Sequence, residues 1–477
     1  MIRDFLKEGT IYTLAGFLAK GISLALIPVF TTYFSPNDYG ILDLLYVFSM
    51  FFAAVFSFQI GQGLTRYLGE SHQDSIRKRN LSSTALVFII TTLLLGGVVA
   101  IVFRKPILDV LGITHPSHTK TYILAVVSII LNGMFLFFSG HLQALRRKVE
   151  FSIASFLHAL LGILATYFFV IVLDKGINGV FYATIAIVPV VLLYQFFQLK
   201  QDYQFFFSEK LMKKLLKYSM PLVPAAVAYV FLTLTDRICI NYFLTKTDLG
   251  VYSVGYKFSF AISLIVSGFS TAMAPLLYQR YKEKETKTDM SVLFNWYVFG
   301  GLFAVTTLSV FAEETIILFT QKPFYQASDV MPMLYLSVWF SGLSMFAPGM
   351  NLQNRTKWIA GVSVVAAILN IGLNIWLIPV FGIKGAALAT LGASIVNYAT
   401  VFVISRRFYT FEVKPFTVMA AVGVACVHVL FTTSSRLALD FGTHTFFFKI
   451  VLMTFVFVIL VIVFRLRKTW FLKSGAL

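Results

Sequence analysis

The feature that most constrains this chain is a series of apolar stretches, each long enough to cross a bilayer as a helix. A spanning helix needs about 20 mostly apolar residues, and fourteen such stretches occur along the 477 residues. They lie near 10–33, 39–60, 81–103, 120–143, 151–173, 178–198, 218–243, 251–279, 290–311, 330–352, 358–380, 383–404, 415–433 and 446–464. Only 13% of the residues are charged, against about a quarter in soluble domains. The sequence therefore predicts an all-α, polytopic membrane protein with about fourteen transmembrane helices.

The positions of the basic residues predict how the chain is oriented. Most of the 39 lysines and arginines fall in the segments that face one side when the N-terminus is placed inside. Cytoplasmic loops carry such an excess, so we expect both termini in the cytoplasm. The net charge of +18 is then explained by the membrane topology, because the basic cytoplasmic segments face anionic lipid headgroups. We therefore expect no nucleic-acid partner.

Two short polar turns indicate an internal duplication. "SPND" (35–38) and "TKTD" (245–248) each place a hydroxyl residue three positions before an aspartate, the pattern of a helix-capping box. Gly40 and Gly250 follow at matching positions. Two further pairs of segments match in the same order along the chain: "HLQALRRK" (141–148) with "NLQNRTKW" (351–358), and "GINGVFYAT" (176–184) with "GIKGAALAT" (382–390).

The duplication predicts the domain organisation. Helix 1 corresponds to helix 7, so the two halves run parallel and are related by an axis along the membrane normal. We expect four regions: an N-lobe of helices 1–6 at 1–200, a cytoplasmic linker at 201–217, a C-lobe of helices 7–12 at 218–404, and helices 13–14 with a cytoplasmic tail at 405–477.

The same segments resemble a known family. The run "KEGTIYTLAGFLAKGISLALIPVFTTYFSPNDYGILDL" (7–44) looks like the N-terminal stretch of the polysaccharide-biosynthesis flippases. These are the Wzx-type lipid-linked oligosaccharide flippases of the multidrug/oligosaccharidyl-lipid/polysaccharide (MOP) exporter superfamily. The "LQA" with its basic cluster and the "GINGV" and "GIKGA" turns resemble the same family.

The resemblance implies both a shape and a function. It implies two six-helix lobes in a V-shaped arrangement that work by alternating access. It also implies that a polyprenyl-diphosphate-linked oligosaccharide moves from the inner to the outer leaflet of the bacterial cytoplasmic membrane. The product would serve synthesis of O-antigen, capsule or exopolysaccharide.

Charged side chains inside or beside the predicted spans are the candidate functional residues. A charge at the bilayer centre costs about 2.5 kcal/mol or more and tends to face a cavity. The cations that would hold the diphosphate in a polar cleft are Lys20, Arg66, Arg237 and Lys257. Asp43 and Asp236 are the carboxylates inside spans and are candidates for ion coupling. Each candidate has an alternative without a role in transport. Lys20 could bond carbonyls within a lobe, Lys257 and Arg237 could snorkel to the outer surface, and Arg66 could mark the cytoplasmic side. Asp43 could be a charge at the outer rim or at the helix N-terminus, and Asp236 and Arg237 could neutralise their neighbours.

A sugar-binding cleft also needs amides and aromatic faces. The candidates are Tyr12, Gln59, Asn132, His141, Asn370 and Asn374. Asn370 and Asn374 lie one turn apart and share a helix face, so bonding between helices is an equal alternative to sugar contact.

The remaining expectations concern cofactors, partners and competing functions. The two cysteines, Cys239 and Cys426, lack metal-ligand spacing, and we expect no metal or other cofactor. Translocation would draw on a sodium ion, a proton or the membrane potential, and we expect a monomer with a polysaccharide polymerase as partner. The main alternative is a cation-coupled drug or metabolite antiporter of the same superfamily. A membrane glycosyltransferase or polymerase fits less well, because the short outer loops hold no recognisable catalytic spacing, and we expect no enzyme.

Overall fold

The computed structural model describes residues 26–70, 74–113, 115–280, 283–353, 356–411 and 449. Tyr12, Lys20 and the predicted stretch near 415–433 lie outside them, and the stretch near 446–464 is described only at Lys449. Contacts divide the chain into unit 1, Met1–Ser253, and unit 2, Val254–Leu477.

Unit 1 is helical throughout its described residues, apart from short connections. Its helices are α1 (26–33), α2 (Pro36–Phe56), α3 (Ile60–Glu70), α4 (Ser75–Val102), α5 (Arg104–Val110), α6 (His118–Ala144), α7 (Lys148–Tyr167), α8 (Gly176–Leu199), α9 (Glu209–Ser219), α10 (Val223–Phe243) and the first part of α11 (Lys246–Phe258). A π-helical turn, Phe168–Val172, extends α7, and 3₁₀ turns occupy Lys200–Asp202 and Met220–Leu222.

Unit 2 continues in the same manner. Its helices are the rest of α11, α12 (Phe260–Arg280), α13 (Lys284–Val310), α14 (Ala312–Phe319), α15 (Met331–Gly342), α16 (Gly349–Leu352), α17 (Thr356–Phe381) and α18 (Ile383–Ser405). At its core, α15 is buried along most of its length, and the Tyr297 hydroxyl donates to the Trp339 carbonyl at 2.8 Å.

The predicted class of protein is confirmed. Within the described residues, nine helices are long and apolar enough to cross a membrane, and a helical stretch bent by 52° near residue 232 would be a tenth. Together with the shorter apolar stretch Met331–Phe346, they account for the predicted stretches from 39–60 to 383–404. The chain is therefore an all-helical, multi-pass membrane protein, while the count of fourteen and the lobe boundaries stay predictions.

The two predicted capping boxes form with the same geometry. The Ser35 and Thr245 backbone N–H groups each donate to the aspartate three residues on, Asp38 and Asp248, at 3.1 Å. Each aspartate N–H in turn donates to the hydroxyl at 3.2 Å. The second repeated turn also matches, because Gly176 and Gly382 both have positive φ, 53° and 60°. The local signals of duplication are thus matched by equal local structures.

The end of α2 differs from the predicted stretch. Phe58 and Gln59 have φ of 48° and 50°, in the left-handed region that ends a helix and that non-glycine residues rarely adopt. The chain turns there and begins α3, a short amphipathic helix, so the span near 39–60 ends at Phe56.

An apolar seam joins α2 to α10 within unit 1. Val47 and Ala54 of α2 are buried against Val230 and Leu234 of α10. Asp43 precedes Val47 by four residues and Arg237 follows Leu234 by three, so both charged side chains extend the seam on the same helix faces. The apolar packing thereby sets the positions of the charged residues.

Candidate functional site

A close crossing of α2 and α11 is the most constrained contact around the buried charges. A Cβ atom added to Gly40 would overlap the Lys246 carbonyl, and one added to Gly250 would overlap the Pro36 carbonyl. The contact is reciprocal, because Gly40 and Pro36 correspond to Gly250 and Lys246 in the sequence repeat. We call this contact the glycine crossing. Only glycine permits backbones to approach so closely.

Next to the glycine crossing lies a group of buried charged side chains, which we call the Arg237 cluster: Asp43, Asp236, Arg237 and Tyr252. Arg237 Nε lies 2.8 Å from Asp43 Oδ2, and its Nη1 lies 3.3 Å from Asp236 Oδ1. The Tyr252 hydroxyl donates to Asp236 Oδ2 at 2.6 Å. One guanidinium therefore contacts two carboxylates, and the second carboxylate has a phenol as a further donor.

The charged side chains of the Arg237 cluster are almost fully buried. The side chains of Arg237 and Asp236 are 5% exposed and that of Asp43 is 10% exposed. Buried ions carry a desolvation cost of several kcal/mol each, which only close partners offset. Breaking one of these contacts is therefore costly unless another ion or a proton takes the partner's place.

Arg66 and Gln59 lie at the other end of α2, on and just before α3. Arg66 Nε lies 3.3 Å from Glu70 Oε1, and its guanidinium lies 4.4 Å from the centre of the Tyr218 ring. Its side chain is half exposed. Gln59 belongs to the left-handed turn, where its N–H donates to Ser57 Oγ at 3.3 Å. These two candidates are close in sequence to the turn but remote from Asp43, at the start of α2.

His141 is buried at the C-terminal end of α6. Its Nε2 lies 3.1 Å from Ser82 Oγ and its Nδ1 lies 2.7 Å from the Tyr203 hydroxyl. Burial raises the pKa of the Tyr203 phenol well above its usual value, so this hydroxyl stays neutral. Both ring nitrogens of His141 thus have protein partners, which gives this side chain a structural contact between α4, α6 and the segment after α8.

The asparagine candidates also contact protein groups. Asn132 Oδ1 lies 3.4 Å from His158 Nε2, and the His158 ring stacks on Phe135 at 4.1 Å. In unit 2, Asn374 Nδ2 donates to the carbonyl and the side-chain oxygen of Asn370, at 2.9 and 3.1 Å. The shared face predicted for the asparagines of α17 is therefore used for a bond within the helix.

The structure brings some predicted site residues together and leaves others apart. Asp43, Asp236 and Arg237 form one cluster. Lys257 is half-buried on α11 in unit 2, and Tyr12 and Lys20 lie outside the described residues. The part of each of these residues in substrate binding or ion coupling stays a prediction.

Three features around the candidate residues were not predicted from the sequence: Tyr252, Tyr203 and the contact between Gly40 and Gly250. Tyr252 carried no signal, because one tyrosine on an apolar helix is ordinary. Tyr203 carried no signal either. For the contact between Gly40 and Gly250, the matching positions of the two glycines in the repeat were a usable clue. A glycine placed identically after two matched caps suggests that the two turns meet on a common axis.

The described helices define a multi-pass membrane protein, and comparisons with known proteins identify the family. The model of the family described as "Polysaccharide biosynthesis protein" matches residues 5–281, more than half of the chain, and the MatE model matches residues 221–376. The chain belongs to the polysaccharide biosynthesis protein family, which confirms the resemblance to MOP-superfamily flippases.

Curated relatives are distant. A probable low-salt glycan biosynthesis flippase of Haloferax volcanii is 27% identical over 199 residues, which cover 40% of this chain and 41% of that protein. The chain thus matches less than half of that relative's length. An uncharacterized membrane protein of Methanocaldococcus jannaschii is 22% identical over 413 residues, 80% of each chain.

Solved structures support the fold. The lipid II flippase MurJ, in an inward closed conformation, matches with a TM-score of 0.73 and 17% identity, over 96% of this chain and 99% of that one. An inward-facing multidrug resistance MATE transporter of the MOP superfamily matches with a TM-score of 0.67 and 14% identity, over 86% and 95% of the two chains. At these identities the likeness shows the fold alone.

Proposed function

We propose that this protein is a flippase that moves a polyprenyl-diphosphate-linked oligosaccharide from the inner to the outer leaflet of the bacterial cytoplasmic membrane, with both termini in the cytoplasm. The observation that carries the proposal is the match of residues 5–281 to the polysaccharide biosynthesis family. The glycan biosynthesis flippase among the relatives supports a lipid-linked substrate. The product would pass to a surface-polysaccharide polymerase, and the flippase would act as a monomer.

Translocation depends on electrostatic interactions with the headgroup and does not make or break covalent bonds. A diphosphate headgroup is anionic, and moving each negative charge out of an inside-negative cell gains about 2.3 kcal/mol per 100 mV. Lys20, Lys257, Arg66 and Arg237 remain the proposed cations along the path. Arg237 is paired with Asp43 in the described state, so a phosphate oxygen would replace that carboxylate when it binds.

The Arg237 cluster favours a proton over a sodium ion as the coupled cation at this position. The guanidinium lies 2.8 Å from Asp43 and 3.3 Å from Asp236, and it would repel a second cation between them. A proton needs no coordination shell and neutralises a carboxylate directly.

Alternating access needs a contact that closes one end of the path and can separate. The glycine crossing is our candidate for this contact, because two helices meet there through close backbone approach. Opening it would move α2 against α11 and strain the adjacent pair of Asp43 with Arg237. We infer that the glycine crossing and the Arg237 cluster open and close together.

Translocation can be measured with the purified full chain in proteoliposomes. The probe is an undecaprenyl diphosphate disaccharide labelled on its sugar with nitrobenzoxadiazole, whose fluorescence external dithionite destroys. Active protein should expose the inner-leaflet probe to dithionite, whereas a phosphatidylethanolamine with the same label should stay protected. Arg66→Gln, which replaces a half-exposed proposed cation, should slow the reaction, and Arg104→Gln, at an exposed arginine after α4, serves as the matched control.

A cation-coupled antiporter is the second candidate, because the MatE model matches residues 221–376. The same vesicles can report it through uptake of ethidium driven by a proton or sodium gradient. Ethidium transport without movement of the labelled diphosphate would reject the flippase proposal in favour of the antiporter. Exposure of the labelled phosphatidylethanolamine at an equal rate would reject a specific flippase as well.

A further inference from the structure

The segment that follows α8, residues 203–217, carries exposed aromatic and basic side chains that the proposed transport does not use. It directly follows the span Gly176–Asp202. Phe205, Phe206 and Phe207 are consecutive and exposed: Phe205 fully, Phe206 by 37% and Phe207 by 49%. Three adjacent exposed phenylalanines are unusual in water and usually mark an interaction surface.

The backbone holds this aromatic segment at a definite level along α4. The Gln204 N–H donates to Ser83 Oγ at 2.9 Å, and the Ser208 N–H donates to Thr84 Oγ1 at 3.3 Å. In α4 the charged run ends at Arg79, polar residues continue to Thr84, and the continuous apolar run begins at Ala85. The phenylalanines therefore lie where the helix changes from polar to apolar, which is the depth at which aromatic side chains concentrate in membrane proteins.

The helix that follows adds positive charge on one face. Lys210, Lys213 and Lys217 of α9 are exposed, and their spacing of three and four residues places them on the same face. The other face is held against the bundle, where the Leu215 carbonyl lies against Gly63 of α3. Lys214 lies 4.4 Å from the centre of the Tyr67 ring, which fixes α9 further on α3.

We propose that residues 203–217 form a docking surface for the headgroups of anionic phospholipids. The phenylalanines would enter the interface between headgroups and acyl chains while the lysines of α9 contact phosphate groups. A basic amphipathic helix with adjacent aromatic residues has the composition of an interfacial anchor. The complementary charge and the depth set by α4 favour a lipid surface over an acidic soluble protein.

The first experiment measures depth. In a background with Cys239→Ser and Cys426→Ser, a nitroxide attached at Phe206→Cys is studied by power saturation in nanodiscs that contain phosphatidylglycerol. Oxygen should relax this label more than a water-soluble nickel chelate, as at Leu94→Cys on the exposed face of α4. Strong relaxation by the nickel chelate, as expected at Ser117→Cys in the α5–α6 loop, would mean a solvent-facing surface suited to a protein partner and would overturn the proposal.

The second experiment measures headgroup preference. Each lysine near an anionic surface should contribute about fivefold to the binding constant. Thermal unfolding of the detergent-solubilised full chain is recorded by tryptophan fluorescence with added phosphatidylglycerol or phosphatidylcholine. One variant replaces by glutamine the lysines of α9: Lys210, Lys213, Lys214 and Lys217. The control variant replaces four exposed basic residues at other helix ends: Arg104, Lys105, Lys120 and Lys175.

Phosphatidylglycerol should raise the unfolding temperature of the wild type and the control more than phosphatidylcholine does, and the α9 variant should lose this difference. A difference retained by the α9 variant, or no difference in the wild type, would overturn the proposal. If the quadruple variant does not fold, Lys210→Gln with Lys217→Gln, which changes only exposed side chains, gives the same comparison. Both experiments are independent of transport, so they can succeed if the flippase proposal fails.

Discussion

Replacing Gly40 by alanine should force α2 and α11 apart. The added Cβ would overlap the Lys246 carbonyl oxygen, and a backbone atom cannot rotate away as the end of a side chain can. Protein interiors are close-packed, so relief requires the two helices to separate by about an ångström at this position.

The expected free-energy effect of Gly40→Ala on the closed crossing is the difference between two opposing contributions. Glycine to alanine in a helix interior gains about 1 kcal/mol, whereas overpacking at a close contact costs about 1–3 kcal/mol. Because the clash is with backbone, the cost should lie at the upper end and leave a net penalty of about 1–2 kcal/mol on the closed crossing. Such a penalty lowers the closed population about 5–30-fold relative to separated states.

Spin labels on the two sides of the glycine crossing provide the assay. In the background with Cys239→Ser and Cys426→Ser, Tyr33→Cys and Tyr242→Cys replace exposed residues near the starts of α2 and α11. Pulsed dipolar spectroscopy then gives the distribution of distances between the two labels. Gly40→Ala should shift this distribution to longer distances. Gly140→Ala in α6, where an added Cβ meets nothing within 4 Å, should leave it unchanged.

The reciprocity of the contact allows a strict test. Gly250→Ala should shift the distances as Gly40→Ala does, because its Cβ would overlap the Pro36 carbonyl in the same way. An unchanged distribution in either variant, at normal folding and insertion, would refute the inference that the two glycines set the helix separation.

Further predictions concern the buried polar contacts, measured as unfolding free energy in detergent. Arg237→Gln should destabilise the protein by about 3–5 kcal/mol, because it leaves buried carboxylates without their counterion. Adding Asp43→Asn to it should recover part of this loss, since the double variant removes both members of the 2.8 Å pair. Tyr252→Phe should cost about 1.5–3 kcal/mol, because it removes a donor to a buried carboxylate. Tyr203→Phe should cost about 1 kcal/mol, because it removes the 2.7 Å contact with His141.

The combined Asp43 and Arg237 variants form a double-mutant cycle, which isolates the pair from other effects. Additive losses would mean that the two side chains do not interact in the membrane. For the tyrosines, equal losses at Tyr252 and Tyr203 would contradict the view that only the first has a charged acceptor.

Much of the fold was predictable because its signals are local. A run of apolar residues reports a spanning helix without reference to the rest of the chain. Ser35 with Asp38, and Thr245 with Asp248, bond across three residues, so the pattern in the sequence already contains both partners. The left-handed turn at Phe58 and Gln59 lacked such a signal, because neither residue type favours that conformation.

For the linker predicted at 201–217, local sequence signals indicated the side of the membrane but not the packing. Its basic charge indicated the cytoplasmic side, but its attachment to Ser83 and Thr84 joins segments distant in sequence. The exposed phenylalanines and the helix α9 therefore gain a defined level only from tertiary contact.

The sequence by itself determined that this chain forms membrane-spanning helices with two matching caps and two matching turns, because apolar length, helix caps and turn glycines act within a few residues. Only the tertiary structure decided that Arg237 contacts Asp43 and Asp236, and that Gly40 meets Gly250. The physical reason is that the cost of a buried charge is visible in the sequence, whereas the partner that offsets this cost depends on which helix faces pack together.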